Sequence, residues 1–177
     1  MEKILNSAKE LRKLRTIVTL GMLGAVAAIL GIFTVQAGEN LKIGFSFIAN
    51  EMAGFLFGPV CGGLFSGVAD IVKMIVNPTG GFFPGFTISS ILGGIIFGFV
   101  LYKEPLSFKR VLLANFLVAF LVNIILNTYW LTILYGNSFL VLLPPRILKN
   151  IIQFPIDATI FYVVSKSLSL ASKRIFN

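Results

Sequence analysis

Three strongly apolar stretches of the sequence carry polar side chains at helical spacing. In the first, the polar residues stand at i, i+4, i+7 and i+11 and share one helix face: Ser66, Asp70, Lys73 and Asn77. A later stretch carries a similar stripe: Arg146, Lys149, Asn150, Gln153 and Asp157. Between them lies a third: Asn123, Asn127 and Trp130. Together, these carboxylates, amides, cations and an indole ring favour a ligand that is flat, hydrogen-bonding and anionic.

Residue types that most enzymes need are scarce. The sequence has no histidine and one cysteine, Cys61, which argues against a disulfide framework, a zinc site and a Cys/His nucleophile pair. The remaining enzyme hypothesis uses Asp70 with Glu51 or Asp157 as acid and base groups within the membrane. We instead predict a binding protein that is not an enzyme and carries no cofactor or metal in this chain.

The composition indicates whether the chain lies in water or in a membrane. Of its 177 residues, 56% are hydrophobic and 12% are charged, and the mean hydropathy is +0.93. Soluble domains have about 25% charged residues, so these values predict a membrane protein. The formal net charge of +8 suggests a nucleic-acid partner, but nearly all the basic residues flank apolar segments, where they indicate topology. We therefore expect no nucleic-acid partner.

Transmembrane helices must position the polar stripes. A span needs about 20 apolar residues, so the chain has room for about six, and we predict a single all-α membrane domain over residues 1–177. Turn residues at 58–59 and 77–81 separate the second, third and fourth helices. The predicted spans are 16–36, 45–57, 60–76, 84–102, 111–136 and 145–170.

The lysines and arginines predict the orientation. With six spans and a cytoplasmic N-terminus, 11 of the 15 basic residues lie in cytoplasmic segments, as the positive-inside rule requires. Both termini are thus predicted to be cytoplasmic, and residues 1–15 to form an amphipathic leader. The other four basic residues fall in the outer half or the outer loops: Lys42, Lys73, Arg146 and Lys149.

Charged groups inside a bilayer need partners. Each ionised group at mid-bilayer costs about 2.5 to 3.5 kcal/mol on insertion scales, so the stripes predict that the third, fifth and sixth helices surround a polar pocket open to the outside. The alternatives are structural. Asp70 and Lys73 can neutralise each other, Arg146 and Lys149 can snorkel to the headgroups, and Trp130 can belong to an interfacial aromatic belt.

Two outer loops combine glycine with phenylalanine. Gly80 and Gly81, which permit close backbone approach, precede Phe82, and Phe45 and Phe47 open the second helix. These segments are predicted either to fold over the pocket as lids or to plug the outer face by packing.

The first helix carries small residues at four-residue spacing. The pairs are Gly21 with Ala25 and Gly24 with Ala28, a spacing that lets another helix approach closely. The pattern predicts either docking to a partner membrane protein or packing within the bundle.

Short motifs reveal a family resemblance over essentially the whole chain. They read Phe-Ser-Phe-Ile-Ala (45–49), Ala-Gly-Phe-Leu-Phe-Gly-Pro (53–59), Gly-Val-Ala-Asp-Ile (67–71), Pro-Thr-Gly-Gly-Phe-Phe-Pro-Gly-Phe-Thr (78–87) and Gly-Gly-Ile-Ile-Phe-Gly-Phe (93–99). The chain resembles the substrate-binding (S) subunits of energy-coupling factor (ECF) vitamin transporters. The stretches Leu-Asn-Thr-Tyr-Trp-Leu (126–131) and Leu-Pro-Pro-Arg-Ile-Leu-Lys-Asn (143–150) resemble the folate-specific members.

The resemblance implies transport. It implies a six-helix subunit of the bacterial plasma membrane that captures folate from outside and docks, through the small residues of the first helix, on a transmembrane coupling subunit and two cytosolic ATPases. The chain has no GxxxxGK[ST] phosphate loop, so partners would hydrolyse the ATP. The alternatives are an S subunit for riboflavin, thiamine or biotin, and a structural membrane scaffold.

Folate would give the polar residues individual roles. Its pterin edge presents adjacent N–H donors that match the carboxylate of Asp70, and its flat ring matches Trp130. The glutamate tail would bind to cations: Arg146, Lys149 and Lys42. Arg146 is alternatively a partner for the pterin carbonyl. Amides would orient the ligand: Asn77, Asn127 and Asn150.

Overall fold

A computed structural model describes residues 2–32, 34–38, 41–76 and 83–175, and the side chains at 32–43 and 169–175 are outside that description. In chain order, its elements are α1 (Glu2–Glu10), α2 (Leu14–Ile32), β1 (Thr34–Gly38), β2 (Leu41–Gly44), α3 (Phe47–Phe57), α4 (Pro59–Val76), α5 (Pro84–Leu101), α6 (Phe108–Leu117), a π-helical segment (Val118–Leu126), α7 (Asn127–Tyr135) and α8 (Phe139–Ile175).

The body of the protein is helical and suited to a membrane. Within the described residues, five helices are long and apolar enough to span one: α2, α4, α5, the continuous stretch Phe108–Tyr135, and α8. The apolar helix α3 has 11 residues and is about 16 Å long. It is therefore shorter than the hydrocarbon core of about 30 Å. The prediction of a helical membrane protein is confirmed.

A β-hairpin replaces the predicted end of the first helix. The prediction extended that helix to residue 36, followed by a loop, but α2 ends at Ile32 and two antiparallel strands follow, pairing Thr34 with Gly44 and Val35 with Ile43. Thr and Val favour extended backbone because their branched side chains fit a pleated surface. The fold is therefore not purely helical. We refer to this side of the molecule, where α2 ends and α3 begins, as the hairpin end.

The last helix begins earlier than predicted and tolerates three prolines. It was predicted to start at Pro145, but α8 starts at Phe139 and contains Pro144, Pro145 and Pro155 within it. Proline removes a backbone donor, which membrane helices accommodate through neighbouring polar groups. The helix continues past all three prolines and carries its polar stripe along the bundle.

Helices α3, α4 and α5 approach one another at glycines. A Cβ atom added at Gly94 of α5 would lie 2.3 Å from the Gly62 carbonyl oxygen of α4, so neither helix could come this close with a larger residue. Beside this contact, buried side chains of α3, α5, α6 and α8 form the main core: Met52, Phe97, Leu101, Val111, Ala114, Ala158 and Phe161. These contacts fix the helices that surround the polar site.

Helix α1 caps the opposite end of the bundle. Ser7 Oγ accepts hydrogen bonds from the backbone N–H groups of Val60 and Cys61, both at 3.1 Å, and donates to the Phe57 carbonyl at 2.7 Å. The first turn of α4 has donors without helical partners, and Ser7 satisfies two of them. Lys3 adds an ion pair to Glu104 at 2.9 Å. The leader is thus packed onto the helical body.

Candidate functional site

A polar cavity lies among the helices at the hairpin end. Its volume is about 280 Å³, and α3, α4, α8 and the stretch from α6 into the π-helical segment contribute most of its wall. Its polar lining consists of Ser46, Asn50, Glu51, Asp70, Lys73, Ser90, Asn115, Asn123, Asn150, Gln153 and Asp157. Residues from each of the three predicted stripes therefore line one shared space, where polar groups of membrane helices are expected to lie.

Asp70 connects two helices across the cavity wall. Its two carboxylate oxygens accept hydrogen bonds from hydroxyls of α5: Thr87 Oγ1 at 2.9 Å and Ser90 Oγ at 3.2 Å. The partners of Asp70 are thus hydroxyl groups, in place of the proposed neutralisation by Lys73. A carboxylate has about four lone-pair positions, so Asp70 retains the capacity to accept a ligand donor as well.

Lys73 lies in the last turn of α4, where the helix dipole favours a cation. Its Nζ donates to Ser46 Oγ, just before α3, at 3.3 Å. Its aliphatic stem passes close to Gly31 of α2, whose added Cβ would lie 3.6 Å from Cγ. Lys73 thus places its charge at the hairpin end of the cavity, which it lines together with Phe47.

The predicted basic pair of α8 lies beside the same cavity. Asn150 lines it and donates from Nδ2 to the Arg146 carbonyl at 2.9 Å. Arg146 Nη1 donates to the Asn123 carbonyl of the π-helical segment at 3.2 Å, which holds α8 against that segment. Arg146 and Lys149 are half-buried but do not belong to the cavity lining. Their cationic groups therefore adjoin the site from its α8 side.

The continuous helical stretch from α6 into the π-helical segment contributes polar groups at two depths of the cavity. Asn115 precedes the segment, Asn123 lies within it, and both line the cavity. A π-helical turn widens the backbone and is frequently found at functional sites. Asn127, one turn later, donates from Nδ2 to Asn123 Oδ1 at 3.3 Å, so it supports the lining without belonging to it.

Trp130 packs away from the cavity lining. Its Nε1 donates to Ser89 Oγ of α5 at 3.1 Å, and its ring centroid lies 5.8 Å from that of Phe83. Gly85 permits this contact, because an added Cβ would stand 2.5 Å from the indole. The structure thus places the predicted stacking residue in an aromatic cluster against the first turns of α5.

The remaining predicted site residues lie partly within and partly outside the described residues. Phe47 lines the cavity. Phe45, two positions earlier, is half-buried and does not line the cavity. Four predicted residues lie outside the described residues: Asn77, Gly80, Gly81 and Phe82. The side chain of Lys42 is also outside the description.

Sequence reasoning named Glu51 of the short helix α3 only for the enzyme hypothesis and did not name Asn50. Asn50 and Glu51 line the cavity, and Glu51 is only 8% exposed. Asn50 Oδ1 and Glu51 Oε2 are buried and have no hydrogen-bond partner among the described residues. A buried acid in an apolar membrane helix is itself a sign of a functional site, and this sign was available in the sequence. The described residues contain no cluster that could hold a metal ion.

The family of the chain follows from comparison with known proteins. The family model for "ECF transporter, substrate-specific component" matches residues 15–165. The chain belongs to this family. The resemblance that the motifs indicated is thereby confirmed, and this ECF substrate-specific component is a multi-pass membrane subunit for transport, which disfavours the enzyme hypothesis.

Two related proteins are both folate transporters named FolT. The one from Clostridium novyi (strain NT) is 43% identical over 122 residues, which cover 69% of this chain and 71% of that protein. The one from Leuconostoc mesenteroides subsp. mesenteroides is 34% identical over 153 residues, which cover 81% of this chain and 82% of that protein. The similarity thus extends over most of the membrane domain.

Two solved structures share the fold. A crystal structure of FolT bound with folic acid superposes with a TM-score of 0.79 at 37% identity, covering 88% of this chain and 95% of that one. The S component of a bacterial ECF transporter superposes with a TM-score of 0.70 at 23% identity, covering 90% of this chain and 98% of that one. The second likeness supports the fold alone.

Proposed function

We propose that this ECF substrate-specific component binds folate for uptake across the bacterial plasma membrane. The observation that carries the proposal is the 37% identity to FolT in its folic-acid complex over 95% of that chain. The polar cavity supports it, because folate combines a flat donor-rich ring with an anionic tail, and the cavity contains both acidic and basic groups.

The proposed topology has six spans with both termini in the cytoplasm. Helix α3 would be the short sixth span beside the five longer ones. The hairpin end would then face outward, and α1 would lie at the cytoplasmic surface with its basic residues Lys9, Arg12, Lys13 and Arg15. This arrangement would direct the hairpin end of the cavity towards the medium from which folate is captured.

The binding roles go to residues that the sequence predicted. Phe47, Lys73 and Asn150 belong to the lining, and we assign them direct contact with folate. Asp70 also lines the cavity and would hold α4 against α5. Arg146 and Lys149 would attract the two carboxylates of the glutamate tail from beside the cavity. Trp130 would act through its packing against α5, which holds the wall in place.

The proposed partners are a transmembrane coupling subunit and two cytosolic ATPases. The small-residue face of α2 supports docking, because a Cβ at Gly21 would meet nothing within 4 Å and Ala25 is exposed. Next to it, α2 and α4 enclose an apolar groove of about 380 Å³ that includes Gly24 and Ala28. A helix of the coupling subunit could approach this face closely.

Native mass spectrometry of the purified chain tests the proposal. The protein released gently from detergent should carry a bound molecule with the mass of folate or a reduced folate. A different vitamin in its place would contradict the folate assignment. A chain that carries nothing and takes up no added folate would contradict the binding function itself.

A further inference from the structure

The cavity is electrically polarised along the bundle. The lining cation Lys73 lies near the hairpin end, where it contacts Ser46, whereas the buried acid Glu51 lies deeper, in the middle of α3. On α8, Asp157 stands 11 residues beyond Arg146 and therefore about 16 Å further along the helix. A ligand with a donor-rich head and an anionic tail would match this polarity in only one orientation.

Two acids from different helices form the deep part of the site. Glu51 of α3 and Asp157 of α8 both line the cavity. Asn115 of α6 and Gln153 of α8 line the same region and supply amide groups. We call Glu51, Asn115, Gln153 and Asp157 the acidic floor.

Glu51 carries the strongest sign that the floor receives a ligand. It is more than nine-tenths buried, it lines the cavity, and its Oε2 has no hydrogen-bond partner among the described residues. A buried polar atom without a partner is costly, and a ligand that donates hydrogen bonds would remove this cost. Asp70 differs, because both of its oxygens already accept from hydroxyls of α5.

We propose that the acidic floor binds the donor edge of the pterin ring through Glu51, with Asp157 beside it, so that the glutamate tail points towards Lys73 and Arg146. This inference rests on the proposed folate function and revises the pairing of the pterin with Asp70. The 2-amino group and the neighbouring ring N–H of a pterin are adjacent donors that a single carboxylate can accept together, as in paired charge-assisted hydrogen bonds. Asp70 then serves to fix α4 against α5.

Calorimetry with ligand fragments separates the two ends of the site. Glu51→Gln should weaken binding of folate and of pterin by about tenfold or more, while binding of p-aminobenzoylglutamate is unchanged. Lys73→Met should show the reverse selectivity. Glu104→Gln, the same acid-to-amide change far from the cavity on the α1 side, is the matched control and should leave all three affinities unchanged.

A folate analogue with a methyl group in place of the 2-amino group provides a test that the wild-type protein alone can answer. The wild-type protein should bind the analogue about tenfold or more weakly than folate. In Glu51→Gln the difference in affinity between folate and the analogue should shrink, because the carboxylate that accepts from the amino group is gone.

A change of cation tests whether the acids bind a metal ion instead. The affinity of the wild-type protein for folate should be the same in sodium and choline buffers.

The outcomes distinguish this inference from the function on which it rests. Equal loss of both fragments in Glu51→Gln, full pterin affinity in that variant, or a wild-type protein indifferent to the missing amino group would overturn the orientation but leave folate binding intact. A sodium requirement would also overturn it by assigning the acids to a cation. Absence of folate binding by the wild type would instead contradict the proposed function.

Discussion

At the scale of single residues, helical spacing predicted several of the side chains that share the cavity but not what each one contacts. Asp70, Lys73 and Asn150 line it as their stripes indicated. Trp130 shares a stripe with Asn123, yet it packs on α5 because Gly85 leaves room for the indole. That contact depends on a residue 45 positions away, and no local pattern encodes it.

Glu51 lines the cavity, but helical spacing did not identify it. The sequence shows it as an acid in an apolar helix, but α3 is too short to display a repeated polar stripe. Periodicity therefore gave no support, and only the three-dimensional arrangement brings it opposite Asp157.

Arg146 provides a prediction at this scale. Arg146→Ala removes a cation beside the cavity and also the donor to the Asn123 carbonyl. We expect folate to bind about tenfold or more weakly, a loss on the order of 1.4 kcal/mol, as measured by calorimetry in detergent. Lys109→Ala, at an exposed position near the start of α6, should have no effect. Equal folate affinity in the wild type and in Arg146→Ala would contradict the role of Arg146 in folate binding.

At the scale of elements, apolar runs and turn residues predicted the helices, but they did not predict the β-hairpin or the π-helical segment. The strands β1 and β2 follow a helix-like apolar run, and their pairing is a contact that a helical period does not reveal. The π-helical segment arises in a uniformly apolar sequence, so nothing in its local composition distinguishes it from an α-helix.

The contact between α4 and α5 can be tested with two adjacent glycines. Gly94→Ala would place a methyl group 2.3 Å from the Gly62 carbonyl oxygen, and relieving this overlap should cost about 1–3 kcal/mol. Gly93→Ala is the control, because an added Cβ there meets nothing within 4 Å. Thermal unfolding in detergent should show a clearly lower melting temperature for Gly94→Ala and an unchanged one for Gly93→Ala. Matching melting temperatures would contradict the close packing.

The packing of α1 should depend on pH through Glu104. Hydrogen bonds from Lys3 and then Arg110 lower the pKa of its carboxyl below the ordinary value of 4.5. A lowered folded-state pKa stabilises the fold above the unfolded value, and this contribution is lost as pH falls through the folded one. The melting-temperature gap between wild type and Glu104→Gln should therefore narrow on acidification below 4.5. A gap that widens there would contradict the contact.

At the scale of the whole molecule, composition identified a membrane protein and motifs identified its family, because both signals are spread along the chain. The placement of α1 on the body could not be read in the same way. It depends on Ser7 reaching the first turn of α4 and on Lys3 reaching Glu104, which are contacts between distant segments.

Docking to a coupling subunit is a property of the whole molecule that α2 can test. Ala25→Trp adds bulk at an exposed position on the small-residue face, which should prevent close helix approach. We expect folate uptake by cells that contain the full transporter to be abolished, while folate binding by the purified chain is retained. Leu113→Trp on α6, also at an exposed apolar position, should preserve both. Loss of binding together with uptake would indicate that Ala25 serves packing within this chain.

The most direct test of the central claim is calorimetric titration of the purified wild-type chain in detergent with folate, riboflavin, thiamine and biotin. We predict saturable, tight binding of folate at one site per chain and no measurable heat of binding for the other three vitamins. Tight binding of one of those vitamins, with folate indistinguishable from buffer, would contradict the assignment of this cavity to folate.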